Sequence, residues 1–231
     1  MVFENRTAIV TGATRGLGKE IAKSLAMEGC EVLLIGRDKK GMGDTASEIE
    51  SKGGKIQRFQ VDLEKPSEIE NFLKNRTCDI LVNCAGIFPM QTICDTEVEE
   101  YDKCFTINVK APFMFCRSLA PAMKENKWGR IVNITSSSAY GGGADTGVYC
   151  ASKHALLGLT RSLYNELKPH NVRVYSVAPG SIQTDMGASD KRQKFSTFLR
   201  AEEVAEYVSY IMRFDKEMIP EEIRLSRMVI E

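Results

Sequence analysis

Residues 7–35 read TAIVTGATRGLGKEIAKSLAMEGCEVLLI, and the architecture of the whole chain can be predicted outward from them. A short β-forming run at 7–10 leads into a glycine-rich turn. Apolar residues then recur at the spacing of one helix face, namely Ile21, Ala22, Leu25 and Ala26. Gly29 closes the helical pattern before a second, continuously apolar run at 32–35, which is typical of a strand covered on both faces. The stretch predicts one β-α-β unit of a parallel sheet.

The same alternation of segments continues along the chain. Helical patterns cover 39–52, 66–74, 97–125, 149–168 and 201–212, and strand patterns cover 56–61, 79–82, 131–134, 172–177 and 223–230. We expect Pro112 and Pro121 to divide or kink the longest helical region, because proline removes a helical hydrogen bond. Strict alternation without repeats or linkers indicates a single doubly wound Rossmann-type α/β domain over residues 1–231, with a parallel sheet of about seven strands.

The turn between the first strand and the first helix carries Gly12, Gly16 and Gly18 at the spacing G-x-x-x-G-x-G. Missing side chains let phosphates approach the backbone there, and the helix N-terminus offers free N–H donors. The alternative is a tight turn with no ligand, since this is not the commoner dinucleotide spacing G-x-G-x-x-G. Its place in the first β-α unit favours a nucleotide.

Tyr149 and Lys153 are four residues apart in a helical pattern, so they share a helix face. A cation beside a phenol favours the phenolate and lowers the pKa of the phenol toward the neutral range. Tyr149 is therefore a candidate general acid or base for a carbonyl or an alcohol. The alternative is an ordinary pair on a helix surface.

Five separated motifs resemble those of the classical short-chain dehydrogenase/reductase family over nearly the whole chain. The motifs are Thr11 to Gly18, Asn83-Cys84-Ala85-Gly86, Ser136, Tyr149 with Lys153, and Pro179-Gly180 to Thr184. The segments 129–134 and 178–186 are most similar to those of 3-oxoacyl-carrier-protein reductases. Cys84 departs from the family's second asparagine, and we expect it to be tolerated.

The resemblance implies a catalytic tetrad. Tyr149 would protonate the carbonyl oxygen, and Ser136 would hydrogen-bond the same oxygen. Lys153 would lower the pKa of Tyr149 and bind the nicotinamide ribose, while Asn108 would hold a water that relays protons. A simple turn role for Ser136 stays open, and Ser138 is a possible second contact to substrate.

The resemblance also implies the cofactor contacts. They are Gly12, Thr14, Arg15, Gly16, Leu17, Gly18, Arg37, Asp62, Leu63, Asn83, Ala85, Gly86, Tyr149, Lys153, Pro179, Gly180, Ile182 and Thr184. Gly36 stands where NAD-specific folds place an acidic residue, and Arg37 with Arg15 suits the 2′-phosphate of NADP(H). Asp38 either caps the next helix or reaches the ribose and admits NAD.

These features predict an NADPH-dependent carbonyl reductase, or the reverse alcohol dehydrogenase, for a small or medium organic ketone or alcohol, including a 3-oxoacyl compound. A lid near 181–200 is expected to select the substrate. A non-catalytic nucleotide-binding or scaffold protein and an epimerase using the same tyrosine and lysine are the alternatives. A carrier-protein partner would require basic docking residues, for which Lys127, Arg130 and His170 are candidates unless they are simply solvated.

Composition argues against several other classes of protein. With 31 basic and 31 acidic side chains the chain has no net field to attract nucleic acid or a membrane. No apolar run reaches membrane-spanning length, and no signal peptide is expected. Seven cysteines without a CxxC pair suit a reduced, cytoplasmic protein, and we expect no metal site.

The two helical regions 110–124 and 149–168 carry more apolar residues than one sheet-facing stripe requires. The residues concerned are Phe113, Phe115, Leu119, Leu156, Leu157, Leu159 and Leu163. Together with the family resemblance they predict a homo-oligomer, a tetramer or a dimer. The alternative is that all seven face the sheet.

Overall fold

A computed structural model of the chain describes residues 2–228. The strands are β1 (Thr7–Thr11), β2 (Glu31–Gly36), β3 (Lys55–Gln60), β4 (Ile80–Asn83), β5 (Gly129–Ile134), β6 (Val172–Pro179) and β7 (Glu222–Leu225). Within the described range they pair in parallel in one seven-stranded sheet, in the order β3-β2-β1-β4-β5-β6-β7. The predicted single doubly wound domain is confirmed.

Helices cover both faces of this sheet. They are α1 (Gly16–Met27), α2 (Lys39–Glu50), α3 (Pro66–Leu73), α4 (Val98–Phe105), α5 (Ala111–Glu125), α6 (Gly147–Leu167), α7 (Asp185–Ser189) and α8 (Ala201–Ile211). Successive residues of a strand point to opposite faces, so Ala8 and Val10 pack in the core under α1 and α8, whereas Ile9 packs in the core under α3 and α5. Burial of both faces explains the continuous apolar runs of the inner strands.

The strand order reverses beside β1, which lies between β2 and β4. In doubly wound sheets a crevice opens at that point outside the carboxyl ends of the strands. Thr11, the last residue of β1, fixes the crevice by accepting hydrogen bonds from the N–H groups of Cys84 at 3.1 Å and Ala85 at 3.2 Å. The turns after β1 and β4 are thereby held side by side.

The region predicted as one long helix from 97 to 125 is helical from Val98 to Glu125, and its hydrogen-bond pattern changes in the middle. A single π-helical turn at Thr106–Lys110 separates α4 from α5. Pro112 lies just after this turn and has no N–H to donate to it, whereas Pro121 lies inside α5 without dividing it. The expectation that Pro121 divides the helix is wrong.

The last strand is shorter than predicted. It covers Glu222–Leu225 instead of 223–230, and residues 229–230 of that prediction lie outside the described residues. Leu225 pairs with Pro179, which has no N–H to donate, and the N–H of Gly180 closes the ladder on the carbonyl of Leu225 at 2.8 Å. The sheet therefore stops pairing at this register.

Most of the residues that suggested a second apolar face are buried within the chain. Phe115, Leu119, Leu156 and Leu157 are buried, and Leu159 and Leu163 are half-buried. Only Phe113 among the seven is exposed, at 45%. The argument from surplus apolar residues is thus weaker than the sequence indicated, because both helices turn these side chains toward the sheet or its flanking helices.

No helix between residues 2 and 228 combines the length and apolarity that crossing a membrane requires. Across the same residues there is no group of three or more His, Cys, Asp and Glu side chains arranged to hold a metal ion.

Candidate active site

A cleft of about 950 Å³ runs along the carboxyl ends of the strands. Its walls contain most of the predicted site residues, namely Gly12, Thr14, Arg15, Gly16, Leu17, Gly18, Arg37, Asp62, Leu63, Ala85, Gly86, Ser136, Ser138, Tyr149, Lys153, Pro179, Gly180, Ile182 and Thr184. Asn83 and Asn108 do not line it. The fold thus brings five sequence motifs, spread over more than half of the chain, into one continuous groove.

The glycine turn forms the floor at one end of the cleft. Gly12 has φ of 70°, and a Cβ there would lie 2.8 Å from the backbone Cα of Ala85. A Cβ on Gly18 would overlap the carbonyl oxygen of Gly12. The backbone of the glycine turn therefore packs directly on neighbouring backbone. Within the described chain no side chain caps the N–H groups at the start of α1, which stay accessible to a ligand.

Tyr149 and Lys153 lie in the first two turns of α6 and are both buried. The Lys153 Nζ donates to the carbonyl of Ile134 at 2.9 Å and lies 5.7 Å from the centroid of the Tyr149 ring. Burial raises the pKa of Tyr149 to about 12 and lowers the pKa of Lys153 to about 8. Burial thus opposes the charged form of both groups, and an effect of Lys153 on the pKa of Tyr149 stays a prediction.

Ser136 follows β5 in an extended conformation at the start of a 3₁₀ turn, Ser137–Tyr140. Its Oγ accepts a hydrogen bond from the N–H of Ser138 at 3.1 Å, as expected of a residue that stabilises the turn. Ser136 also lines the cleft. The end of this turn is anchored, since the Tyr140 hydroxyl donates to Glu222 of β7 at 3.0 Å. Glu222 also accepts from Arg161 of α6 at 3.0 Å.

The two asparagines act behind the cleft wall. Asn108, on the π-turn, accepts the N–H of Ile87 at 2.9 Å and donates to the Ile87 carbonyl at 3.0 Å and to Ser152 Oγ at 3.0 Å. It thereby ties the loop after β4 to the helix of Tyr149. Asn83 donates to Asn133 of β5 at 2.8 Å. Direct contact of either side chain with a ligand stays a prediction, and the geometry gives both a positioning role.

The end of the cleft beyond β2 carries two arginines whose charges are paired with carboxylates. Arg37 donates to Glu64 at 2.8 Å, and Arg15 lies 3.4 Å from Asp185. Asp38 accepts the N–H of Lys40 at 3.0 Å as the N-cap of α2, which agrees with the capping alternative. A side chain at Gly36 would press on the Thr14 methyl at 2.5 Å.

The segment 181–200 borders the cleft on the side of β6 and β7, and its Asp185 reaches back to Arg15 of the glycine turn. Its base is closed by backbone hydrogen bonds between Gln183 and Leu199 at 2.8 Å and between Leu199 and Ser181 at 3.0 Å. Arg192 bridges from this segment to Asp145, at 2.6 Å, in the loop before α6, and binds the buried Asp190 at 2.7 Å. The Arg192 guanidinium holds the pKa of the Asp190 carboxyl well below its usual range.

A sequence model described as short chain dehydrogenase matches residues 6–194, which include the glycine turn, Ser136, Tyr149 and Lys153. The chain belongs to the short-chain dehydrogenase family. The family expected from the motifs is confirmed, and the chain is an oxidoreductase of that family.

Among the family's members, the 3-oxoacyl-(acyl-carrier-protein) reductase of Aquifex aeolicus is 33% identical over 227 residues, 90% of each chain. D-beta-hydroxybutyrate dehydrogenase of Rhizobium meliloti is 33% identical over 190 residues, 78% of this chain and 73% of that protein. A crystal structure of a metagenomic short-chain oxidoreductase in complex with NADP has a TM-score of 0.86 and 32% identity, and the match covers 98% of this chain and 100% of the other.

Several cleft residues of this short-chain dehydrogenase were not found from its sequence. Phe88 packs edge-on against Tyr149, with ring centroids 4.6 Å apart. Asp190, Arg192 and Arg227 line the cleft as well. Phe88 follows the Asn83–Gly86 motif by two residues, so position alone could have suggested it, whereas Arg227 reaches the cleft only through the register of β7 on β6.

Replacing Lys153 with methionine tests the charge state of this buried amine in the nucleotide-free short-chain dehydrogenase. The pKa of Lys153 is about 8 in the folded chain against an ordinary 10.5, so the unfolded chain binds more protons between these pH values and stability rises with pH. Below pH 8 the buried charge costs its full penalty. The measured quantity is the free energy of unfolding of Lys153→Met minus that of the unsubstituted chain. We expect this difference to be about 2 to 3 kcal/mol more positive at pH 7 than at pH 10.

Urea unfolding of both proteins at the two pH values measures this difference. Other titrating groups are common to the pair and largely cancel. A stability difference that stays constant with pH would mean that Lys153 is solvated or already uncharged at pH 7.

Proposed function

We propose that the chain is an NADPH-dependent carbonyl reductase, or the reverse alcohol dehydrogenase, acting on a small or medium organic ketone or alcohol. The observation that carries the proposal is the convergence of Ser136, Tyr149 and Lys153 on one cleft wall, next to the glycine turn. NADPH, when bound, would supply the hydride. The proton, the orientation of the carbonyl and the exclusion of water are left to the chain's own residues.

The raised pKa of Tyr149, about 12, keeps its hydroxyl protonated at neutral pH, as a general acid for carbonyl reduction requires. The Ser136 hydroxyl lines the same cleft and supplies a second donor for the carbonyl oxygen. Phe88 covers the Tyr149 ring and restricts water at that point. Lys153 is held by the Ile134 carbonyl beside Gly86, where a Cβ would lie 3.6 Å from its Nζ.

The cleft fits a dinucleotide on physical grounds. A Cβ at Gly12 or Gly18 would fill the backbone cradle, and α1 begins there with N–H groups that no side chain caps. Asp62 and Leu63 line the cleft after β3 and would hold the adenine, and Pro179, Gly180, Ile182 and Thr184 would hold the nicotinamide end. These residues would supply the predicted cofactor contacts.

Preference for NADP(H) is supported by the groups beyond β2. Gly36 has no room for an acidic side chain without moving Thr14, and Arg37 and Arg15 line the cleft. Their carboxylate partners do not exclude a phosphate, because both arginines are more than half exposed and exposed ion pairs contribute at most about 1 kcal/mol. The metagenomic relative named above is described as a complex with NADP.

Arg37→Ala is expected to weaken NADPH binding about 10- to 100-fold while NADH binding changes little, since only NADPH carries the phosphate that a guanidinium binds. Fluorescence titration of both nucleotides measures this without turnover. Arg58→Ala, on neighbouring β3 and exposed, makes the same charge change and should leave both affinities unchanged. Equal losses for NADPH and NADH in Arg37→Ala would assign Arg37 a structural role.

The reaction itself is tested by following NADPH oxidation with a panel of ketones and 3-oxoacyl compounds. Net consumption of NADPH supports the reductase. Nucleotide binding without turnover of any carbonyl would favour the non-catalytic protein, and isomerised product without net NADPH consumption would favour the epimerase.

We also propose a homo-oligomer, a dimer or a tetramer, in which α5 and α6 meet a second copy. Exposed Phe113 on α5 supports it, and light scattering at micromolar concentration tests it. A monomeric mass with full activity would contradict it. A cytoplasmic location is proposed as well, supported by seven cysteines that form no disulfide.

A further inference from the structure

Four arginines line the cleft, and three of them are paired with carboxylates. Arg15 pairs with Asp185, Arg37 with Glu64, and Arg192 with Asp145 and Asp190. The fourth, Arg227, has no carboxylate within salt-bridge distance among residues 2–228. A half-buried guanidinium without a counter-ion is a favourable position for an anionic ligand.

The Arg227 side chain is nevertheless well fixed. Its Nη1 donates to Thr197 Oγ1 at 3.1 Å and its Nη2 donates to Gln193 Oε1 at 2.7 Å. The guanidinium lies 5.2 Å from the centroid of the Phe198 ring. Two of its five N–H donors are thus engaged by neutral groups, which orient the guanidinium and leave its charge and remaining donors for a ligand.

Asp190 is connected to Arg227 only through an amide. Gln193 accepts from Arg227 and donates to Asp190 at 2.8 Å, so an amide stands between the two charges. Asp190 is also bound by Arg192 at 2.7 Å. Among residues 2–228 the cluster therefore contains one satisfied network of ion pairs and one cation without a carboxylate partner.

Arg227 lies far along the sheet from the arginine that would bind a 2′-phosphate. Arg227 follows β7, whereas Arg37 follows β2, five strands away in the sheet order. At a strand spacing of about 4.8 Å this separates the two sites by roughly 24 Å. Arg227 lies two strands from Ser136, which follows β5, or roughly 10 Å, at the end of the cleft where the carbonyl substrate would bind.

We propose that Arg227 binds the carboxylate of the substrate, which makes the substrate an oxo acid in the reductive direction and a hydroxy acid in the reverse. This inference rests on the proposed function for the site of Ser136 and Tyr149. The separation of the two ends suits an acid whose carbonyl and carboxylate are several bonds apart. Arg227 then fixes the orientation of the chain between them, because a guanidinium binds a carboxylate through two parallel hydrogen bonds.

Matched pairs of oxo acids and their methyl esters test the proposal. The compounds are 3-oxobutanoate, 4-oxopentanoate and 5-oxohexanoate, each with its methyl ester, and kcat/KM is measured with NADPH. We expect the unsubstituted chain to prefer at least one acid over its ester by about 10-fold or more. Arg227→Gln should lower kcat/KM for that acid by about 10- to 100-fold, mainly through KM, and leave the ester nearly unchanged.

Two further variants serve as controls. Arg227→Lys keeps the positive charge and should recover part of the preference for the acid. Arg200→Gln removes an exposed arginine that does not line the cleft and should change neither substrate. An equal loss for acid and ester in Arg227→Gln, or no preference for any acid in the unsubstituted chain, would overturn the proposal.

Failure of the proposed function gives a different pattern. If no carbonyl is turned over, calorimetry of the acids and esters still measures whether binding requires the carboxylate. If an acid binds the unsubstituted chain and Arg200→Gln but not Arg227→Gln, the carboxylate site is supported. The reductase function would still be rejected, because no carbonyl is turned over. Equal binding of acid and ester, or binding of neither, would overturn the carboxylate site as well.

Discussion

Tyr149→Phe is expected to lower turnover by at least about 100-fold, because it removes the hydroxyl that we propose as the proton donor to the carbonyl oxygen. The ring remains, so its edge-on packing with Phe88 and the burial of α6 are kept. The loss should therefore appear in kcat, with little change in nucleotide affinity or stability. Steady-state kinetics with any accepted ketone, together with NADPH titration, measures both quantities.

Tyr164→Phe is the matched control, since it removes a hydroxyl from the same helix at a position outside the cleft. Its turnover should match that of the unsubstituted chain. Near-normal turnover in Tyr149→Phe would show that another group donates the proton and would remove the tyrosine assignment.

Gly18→Ala is expected to weaken binding of both nicotinamide nucleotides by at least about 100-fold and to lower the free energy of unfolding by about 1 to 3 kcal/mol. The added methyl group would overlap the carbonyl oxygen of Gly12 and lie 2.8 Å from its carbonyl carbon. The clashing atoms belong to the backbone and cannot rotate away as a side chain can. The start of α1 must therefore move away from the turn, and the N–H groups that would bind the phosphates move with it. Nucleotide titration and urea unfolding measure the two effects.

Gly43→Ala gives the opposite expectation within α2. A Cβ there meets only the end of the Arg58 side chain, at 3.8 Å, and alanine is the better helix former. We expect up to about 1 kcal/mol of added stability and unchanged nucleotide binding. If Gly18→Ala behaves like Gly43→Ala, the turn does not bind nucleotide through closely packed backbone.

Much of the fold could be predicted because its signals are local. A strand with helices on both faces requires a continuous apolar run such as 32–35. The preceding helix, α1, shows its buried face in Ile21, Ala22, Leu25 and Ala26. Errors arose where the cause is non-local. The π-turn at Thr106–Lys110 holds Asn108 against Ile87, and the end of β7 depends on Pro179 of another strand.

The site divides in the same way. Gly12, Ser136, Tyr149 and Lys153 sit in short motifs whose spacing carries their chemistry, and all four line the cleft. The pKa of Tyr149 could not be predicted from the neighbouring lysine, since burial opposes the charged form of both. Arg227 has no local motif, and only the assembled sheet puts it at the substrate end.

The edge strand β7 and the two residues after it contact two parts of the substrate end of the cleft. Glu222 holds the Tyr140 end of the Ser136 turn, and Arg227 lies just beyond Leu225. An edge strand this short is among the first elements to open in native-state fluctuations, whereas β1 and β4, which flank the nucleotide crevice, lie in the centre of the sheet. Local opening of β7 would thus free the Tyr140 end of the Ser136 turn and displace Arg227 in one event, so the substrate end of the cleft is built on the less stable part of the sheet.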